Sequence, residues 1–229
     1  MSEDVDTSFA LPRRPYWQSA GFAVGCAERL LPMVASLGGR ALAEATTVGL
    51  ASAWEAAAGR GDRSEIQQAI VALTDAIHHM ADDGLQVLGA HAANVTVFAL
   101  EAVGGSTREG WVRLARAGTL DLLKEADFEL AMPPEASATL PDQDEIPQGP
   151  LERAERRAQR TSLDLLDVGP DPDPQALDAV RRLSKLQAEE LARVLPEFAR
   201  RRRQRYDELE ERRAAQRAEI ARRRERKSP

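Results

Sequence analysis

His78, His79, Asp82, Asp83 and His91 form the one grouping of metal-ligand residue types along this chain. His78 and Asp82 are four residues apart, and His79 reaches Asp82 or Asp83 from the same helical turn. His91 lies two turns into the next helical segment and could fold back across the junction. Zinc and iron sites in helical bundles use such spacings, normally with Glu-x-x-His pairs from two helices. That motif is missing, and Asp82-Asp83-Gly84 is already explained by capping and turn formation. A metal centre on His78, His79, Asp82 and His91 is therefore the weaker reading, and no cofactor is implied.

The second charged feature is the C-terminus. Residues 200–229 hold thirteen Arg/Lys and six Asp/Glu, a balance of +7, while the whole chain is −6; residues 1–199 therefore sum to −13. Arg200, Arg201, Arg202, Arg203 and Arg205 encircle a helix with positive charge and could release counterions from nucleic-acid phosphates. Interleaved acids and a single aromatic, Tyr206, argue against that use, because base stacking needs aromatic faces. A solvated extension, folding back on the acidic body, explains the same residues. A heptad of apolar residues is not sustained beyond Leu209, which argues against a coiled-coil partner.

Cys26 is the one cysteine, so no intrachain disulfide is possible and a reducing compartment fits. It falls on the stripe Phe22, Cys26, Leu30, which predicts a buried structural thiol rather than a nucleophile. Glu28 and Arg29 are adjacent and diverge by about 100° on a helix. They are expected to tie the first helix to its neighbours by ion pairing instead of forming one catalytic pair. Gly38-Gly39 and Gly104-Gly105 end helices and are followed by no Lys-Ser/Thr, so neither is a phosphate loop. Trp17, Trp54 and Trp111 read as core anchors before they read as a ligand pocket.

The elements that position these residues are helical throughout. Apolar residues recur at three and four, and β-branched runs of period two are absent. Residues 1–13 read as a lead-in. A helix from about Pro15 should end or bend near Leu31-Pro32. A second, about 40–59, should bury Leu42, Ala45, Val48 and Trp54 and stop at Gly59 or Gly61. Ser64 and Gln67 form a capping box for the third, with the stripe Ile66, Ile70, Leu73, Ile77 and Met80. The fourth carries Leu85, Leu88, Ala92, Val95, Ala99 and Ala102. A second capping box, Ser106 to Glu109, opens the fifth, with Trp111, Leu114, Ala115, Gly118 and Leu122 inward. Five prolines between 131 and 150 mark a crossover, and Pro150 opens a sixth helix to 167. The seventh, from Pro174, presents Leu177, Val180, Leu183, Leu186 or Gln187, Leu191 and Val194 on one side, and Pro196 should break or kink it.

This predicts an all-α bundle of about seven helices with short antiparallel connections over 14–195, followed by a charged helical tail over 196–229. The apolar stretch 84–103 contains Gln86, His91, Asn94 and Glu101 and reads as a core helix rather than a membrane span. No signal peptide is recognisable after the acidic N-terminus, so a cytoplasmic setting is expected.

With the helices placed, Cys26-Ala27-Glu28-Arg29-Leu30-Leu31-Pro32 resembles the opening motif of the YjaG-like family, domain of unknown function 416. Trp54, the segment Ala117 to Leu122, and the series Glu152, Gln159, Leu163 agree with it in order, so the similarity spans about 16–186. The chain departs from the pattern at Met33 to Leu37, which is apolar where the family tends to be polar and aromatic. The resemblance implies a small all-helical bacterial protein and no activity. From charge, the expected function is that of a non-enzymatic interaction protein binding a basic macromolecular partner, in an immunity-like or adaptor-like role. Nucleic-acid association through the tail and a metal-dependent regulator or enzyme are the alternatives.

Overall fold

The computed structural model describes residues 14–80, 84–105, 108–132 and 148–225. Asp82, Asp83, the capping residues Ser106 and Thr107, the 1–13 lead-in, most of the proline-rich crossover and Lys227 lie outside the described residues. The protein is an all-α bundle. Among the described residues eight helices form: α1 (Tyr16–Arg29), α2 (Leu31–Leu37), α3 (Arg40–Ala57), α4 (Arg63–His78), α5 (Gln86–Gly104), α6 (Arg108–Ala131), α7 (Pro150–Leu166) and α8 (Pro174–Glu225).

α1 and α2 are one rod bent at Leu30, because Pro32 has no N–H to continue the first helix's hydrogen-bond ladder. The stripe Phe22, Cys26, Leu30, Val34 understates α1. Every residue from Trp17 to Arg29 is buried, so α1 is the axis of the bundle and not an amphipathic wall. It packs on α3, α5, α6, α7 and α8. Small residues make this possible: a Cβ on Gly25 would come within 3.0 Å of Val180 Cγ1 and 3.1 Å of Ser184 Oγ.

α3 to α6 pack each on the next around this axis. α3 ends in a Schellman-type turn, with Gly59 at φ +75° and the Arg60 amide donating to the Glu55 carbonyl at 2.9 Å. Its buried face is Leu42, Thr46, Gly49, Leu50, Ala53, Trp54 and Ala57. Val48 is off that stripe and 63% exposed, contrary to the sequence expectation. Leu114, expected inward on α6, is likewise exposed, while Ala115 and Leu122 of that stripe are buried. Both misplacements come from admitting a residue about 100° off the stripe because it is apolar. The cap of α4 also differs: Asp62, not Ser64, is the N-cap, and its carboxylate accepts from the Ser64 amide at 2.8 Å. The inward stripe Ile66, Ile70, Leu73 is as expected, with Ile77 and Met80 partly buried behind it.

α7 starts at Pro150 as the sequence indicates, yet its first amides are capped from another helix. Asp127 of α6 accepts from Leu151 N (3.0 Å) and Glu152 N (2.8 Å). A carboxylate there complements the helix N-terminus. Gly149 must be glycine beside it, because a Cβ would fall 2.1 Å from Asp127 Cγ. Replacing Asp127 with Ala is expected to cost about 1–2 kcal/mol and to lower the melting temperature by about 3–6 °C. Thermal melts of the two proteins check it; an unchanged midpoint would remove Asp127 from this role.

α8 corrects the sequence reading most. Of the break or kink expected at Pro196, no break occurs: the helix runs for 52 residues with Pro196 inside it. Pro196 is exposed and so is Ala192, whose carbonyl loses its helical partner and can be hydrated instead. Leu191, Leu195 and Phe198, buried to either side, hold the rod against the body across that position. The boundary between body and tail expected at 195/196 thus falls inside one helix.

By length and composition, Tyr16–Leu37 and Gln86–Gly104 are apolar enough to cross a membrane. In the fold 78% and 56% of those windows is buried within the bundle.

Candidate functional site

Two sets of polar residues draw attention, one sealed in the core and one on the rim of α6. The sealed set starts from the Glu28-Arg29 pair. As their angular divergence requires, the two side chains leave α1 in different directions. Glu28 accepts from Trp54 Nε1 of α3 at 2.7 Å and lies 3.7 Å from Arg181 of α8, which also stands 5.8 Å from the Trp54 ring centroid. Burial pushes the Glu28 carboxyl above its ordinary value, against the opposing pull of the Trp54 N–H and Arg181.

Arg29 turns the other way. Its Nε stands 2.8 Å from Glu155 Oε2 of α7, each side chain 1% exposed, as an ion pair lacking hydrogen-bond alignment. The guanidinium donates to Ser184 Oγ (3.1 Å, α8), more distantly to Ser162 Oγ (3.5 Å, α7), and to Cys26 Sγ (3.2 Å). Glu155 also accepts from Gln159 Nε2 at 2.8 Å, and Gln159 accepts from Arg116 of α6 at 3.3 Å. Thr119 donates to the Ala115 carbonyl and, at 3.4 Å, to that of Cys26.

Five helices, α1, α3, α6, α7 and α8, are keyed together by these contacts. Cys26 is fully buried, and desolvation drives its thiol up to about 12, so it is a structural group. Burial opposes the charge on Arg29, and the Glu155 carboxylate outweighs it. The network is a clamp without access for a substrate. Of the residues quoted for the resemblance, Cys26, Glu28, Arg29, Trp54 and Gln159 belong to this network, as does Thr119 of the segment Ala117 to Leu122. Glu152 pairs instead with Arg156, Leu163 is partly buried, Leu30 is core and Leu31-Pro32 forms the bend.

The second set lies where α8 passes the end of α6. Arg201 donates to the carbonyls of Leu130 (2.8 Å) and Met132 (3.2 Å), satisfying groups the end of α6 leaves free. Arg202 pairs with Glu125 at 2.8 Å and Glu129 at 3.4 Å, and Arg205 with Glu129 at 3.0 Å. Arg200 is held by Glu197 at 2.7 Å, and Arg203 is exposed. The hydrogen bonds from Arg200 and Arg201 hold the Glu197 carboxyl down at about 2. Three of the five arginines singled out in the tail are therefore spent on α6. The sequence offered a hint of this, since Glu125 and Glu129 are four apart on one helix, but nothing in it said which arginine would meet them.

Next to that rim, α5 and α6 leave an open cleft of about 550 Å³. Phe98 and Phe128 line it with Asn94, His91, Asp121, Lys124 and Glu125. Gly118 sits at its floor, where a Cβ would be 3.0 Å from Val95 Cγ2. Phe98 is braced by Trp111, with ring centroids 5.9 Å apart and planes at 23°. The lining combines the rings of Phe98 and Phe128 with the carboxylates Asp121 and Glu125 and the cation Lys124. A cationic side chain entering it would meet Asp121 by ion pairing and the rings by cation–π contact, beside a resident lysine. Trp17 and Trp54 are core anchors, their indole N–H groups donating to the Pro170 carbonyl (3.0 Å) and to Glu28.

The metal candidates are divided. His78 and His79 end α4, with His79 Nδ1 2.7 Å from the Asp75 carbonyl, whereas His91 belongs to the α5–α6 cleft and Asp82 is not described. Among the described residues no three His, Cys, Asp or Glu side chains are grouped to hold a metal ion. No family model, no curated protein and no solved structure matches this chain.

Proposed function

We propose that this chain is a helical interaction protein that binds a basic macromolecular partner along the acidic edge of α6. One observation carries the reading: that edge already holds the guanidinium groups of Arg202 and Arg205 on Glu125 and Glu129, a working example of what it recognises. The adjoining cleft, with Asp121 exposed beside Phe98 and Phe128, offers a place for an arginine or lysine from another molecule. A negatively charged body also steers such a partner toward it, consistent with an adaptor-like or immunity-like role. A cytoplasmic setting goes with this reading, as the single cysteine leads one to expect. Kinship with the YjaG-like family belongs to the same proposal, supported by the meeting of the resembling segments in one clamp.

Nucleic-acid association through Arg200–Arg205 has less support, because Arg200, Arg201, Arg202 and Arg205 have partners within the chain. A metal-dependent function has less support still, with His91 apart from His78 and His79.

A fluorescent Arg/Lys-rich peptide titrated into the protein tests the proposal. Binding is expected at low salt, weakened about tenfold by Asp121→Arg, a loss of about 1.4 kcal/mol. It should vanish toward 1 M salt, where screening reaches about 3 Å. Equal affinity of the variant, or binding indifferent to salt, would defeat it.

A further inference from the structure

Beyond Tyr206 α8 leaves the body. Tyr206 still packs on Gly84, whose Cβ would come within 2.9 Å of its ring, but residues 211–220 are exposed on every side. The free portion, 206–225, is about 30 Å long at 1.5 Å per residue. A projecting helix with so little apolar surface needs either internal ion pairs or a partner. Among the described residues Glu210 pairs with Arg213 at 2.8 Å and with Arg217 at 3.8 Å; these pairs are exposed, and Leu209 and Ile220 stay uncovered beside them.

Its residues nevertheless follow a heptad. Tyr206, Leu209, Arg213, Gln216 and Ile220 recur at three and four and so share one face, with Leu209 and Ile220 both exposed apolar residues. On one flank of that face lie Glu210 and Arg217, and on the other Arg212 and Glu219. Each flank thus carries one charge of either sign, seven residues apart, in opposite order on the two flanks. An apolar count alone misses this, because the information lies in the flanking charges.

We propose that the free half of α8 pairs antiparallel with the same segment of a second copy of this chain. Centred between Ala214 and Ala215, the pairing sets Leu209 against Ile220 of the second copy, and Arg213 against Gln216 of the second copy. The same register brings Glu210 to Arg217 of the second copy on one flank and Arg212 to Glu219 of the second copy on the other. Twofold symmetry repeats all of these contacts, giving four attractive ion pairs and two apolar layers. A parallel pairing would instead stack Arg213 on Arg213 and oppose Arg212 to Arg217, two contacts that the antiparallel arrangement avoids. The pairing stands apart from the basic-partner reading, which concerns α6, and either can fail without the other.

Light scattering on the full chain tests it, with two reversed variants. Wild type is expected to approach twice its 25.1 kDa chain mass at about 100 µM in low salt and to return to one chain mass as added salt screens the exposed pairs. Glu210→Arg with Glu219→Arg leaves both flanks positive, and Arg212→Glu with Arg217→Glu leaves both negative; each variant alone should stay monomeric. An equimolar mixture of the two should recover the doubled mass, a rescue that loss of folding could not produce. A wild type that remains monomeric at low salt overturns the proposal. So does a reversed variant that dimerises like wild type, or a mixture that does not associate.

Discussion

Replacing Arg29 with Ala is expected to remove about 3–5 kcal/mol of folding stability, because it strands Glu155 as a charge with no counterion in the core. Globular domains are stable by only about 5–15 kcal/mol, so the loss would bring the chain close to unfolding under ordinary conditions. The guanidinium is 1% exposed, and its partners come from α7 and α8 as well as from its own helix. Removing it therefore unsatisfies several groups at once. Glu155→Ala should be similarly damaging, since it leaves Arg29 charged and buried and takes an acceptor from Gln159. The double variant Arg29→Ala/Glu155→Ala, which closes the cycle, is the diagnostic arm. With both charges gone the desolvation penalty disappears, and the pair should cost less than the two single losses combined, by about 2 kcal/mol. Urea unfolding of the four proteins measures this. A loss below about 1 kcal/mol in Arg29→Ala would mean that the clamp does not hold the bundle together.

Gly89→Ala is the second large effect, and its sign opposes helix propensity. Within a helix Ala is better than Gly by about 1 kcal/mol, so an unconstrained site would gain. At Gly89 the added Cβ would lie 2.4 Å from Gly38 N, 2.5 Å from Gly38 Cα and 2.9 Å from the Leu37 carbonyl carbon. These are backbone atoms, which no rotamer change can move aside. α5 and the end of α2 would have to separate, and the expected net cost is about 2–3 kcal/mol or more. Gly110→Ala provides the contrast. Gly110 lies in α6, where an added Cβ would meet nothing within 4 Å, and the change should stabilise by about 0.5–1 kcal/mol. Measured side by side, the two substitutions should move the unfolding midpoint in opposite directions. A neutral or stabilising Gly89→Ala would show that α2 and α5 do not approach as closely as described.

Much of this architecture was legible in the residues. Helical periodicity with glycine and proline punctuation placed the starts of α3, α4 and α7 and the bend at Leu30, because each depends on backbone chemistry within a few residues. The inward stripe of α4 was readable because Ile66, Ile70 and Leu73 differ sharply in polarity from their neighbours. The burial of Cys26 and the divergence of Glu28 from Arg29 followed from helix geometry. α1 was not readable as the axis of the bundle, because Ala and Gly on its flanks carry almost no polarity signal; only the approach of α7 and α8 buries them. The continuation of α8 through Pro196 was hidden for a related reason. Proline's local penalty is visible in the residues, while the burial of Leu195 and Phe198 that outweighs it is a property of the assembled body.

The candidate site divides along the same line. That the body is acidic and the tail basic was determined by composition. Which charges meet was decided by the fold, since Arg202 and Glu125 are far apart along the chain and come within 2.8 Å only because α8 lies across the end of α6. The α5–α6 cleft has no sequence signature, being the space left where Gly118 lets two helices approach beneath Phe98 and Phe128. Helix content and charge balance are sums over near neighbours, so the amino-acid order suffices for them, whereas the capping of α7 by Asp127 already depends on a second helix. The clamp, the cleft and the docking of the tail depend on pairs of groups distant along the chain, and only tertiary packing selects those pairs.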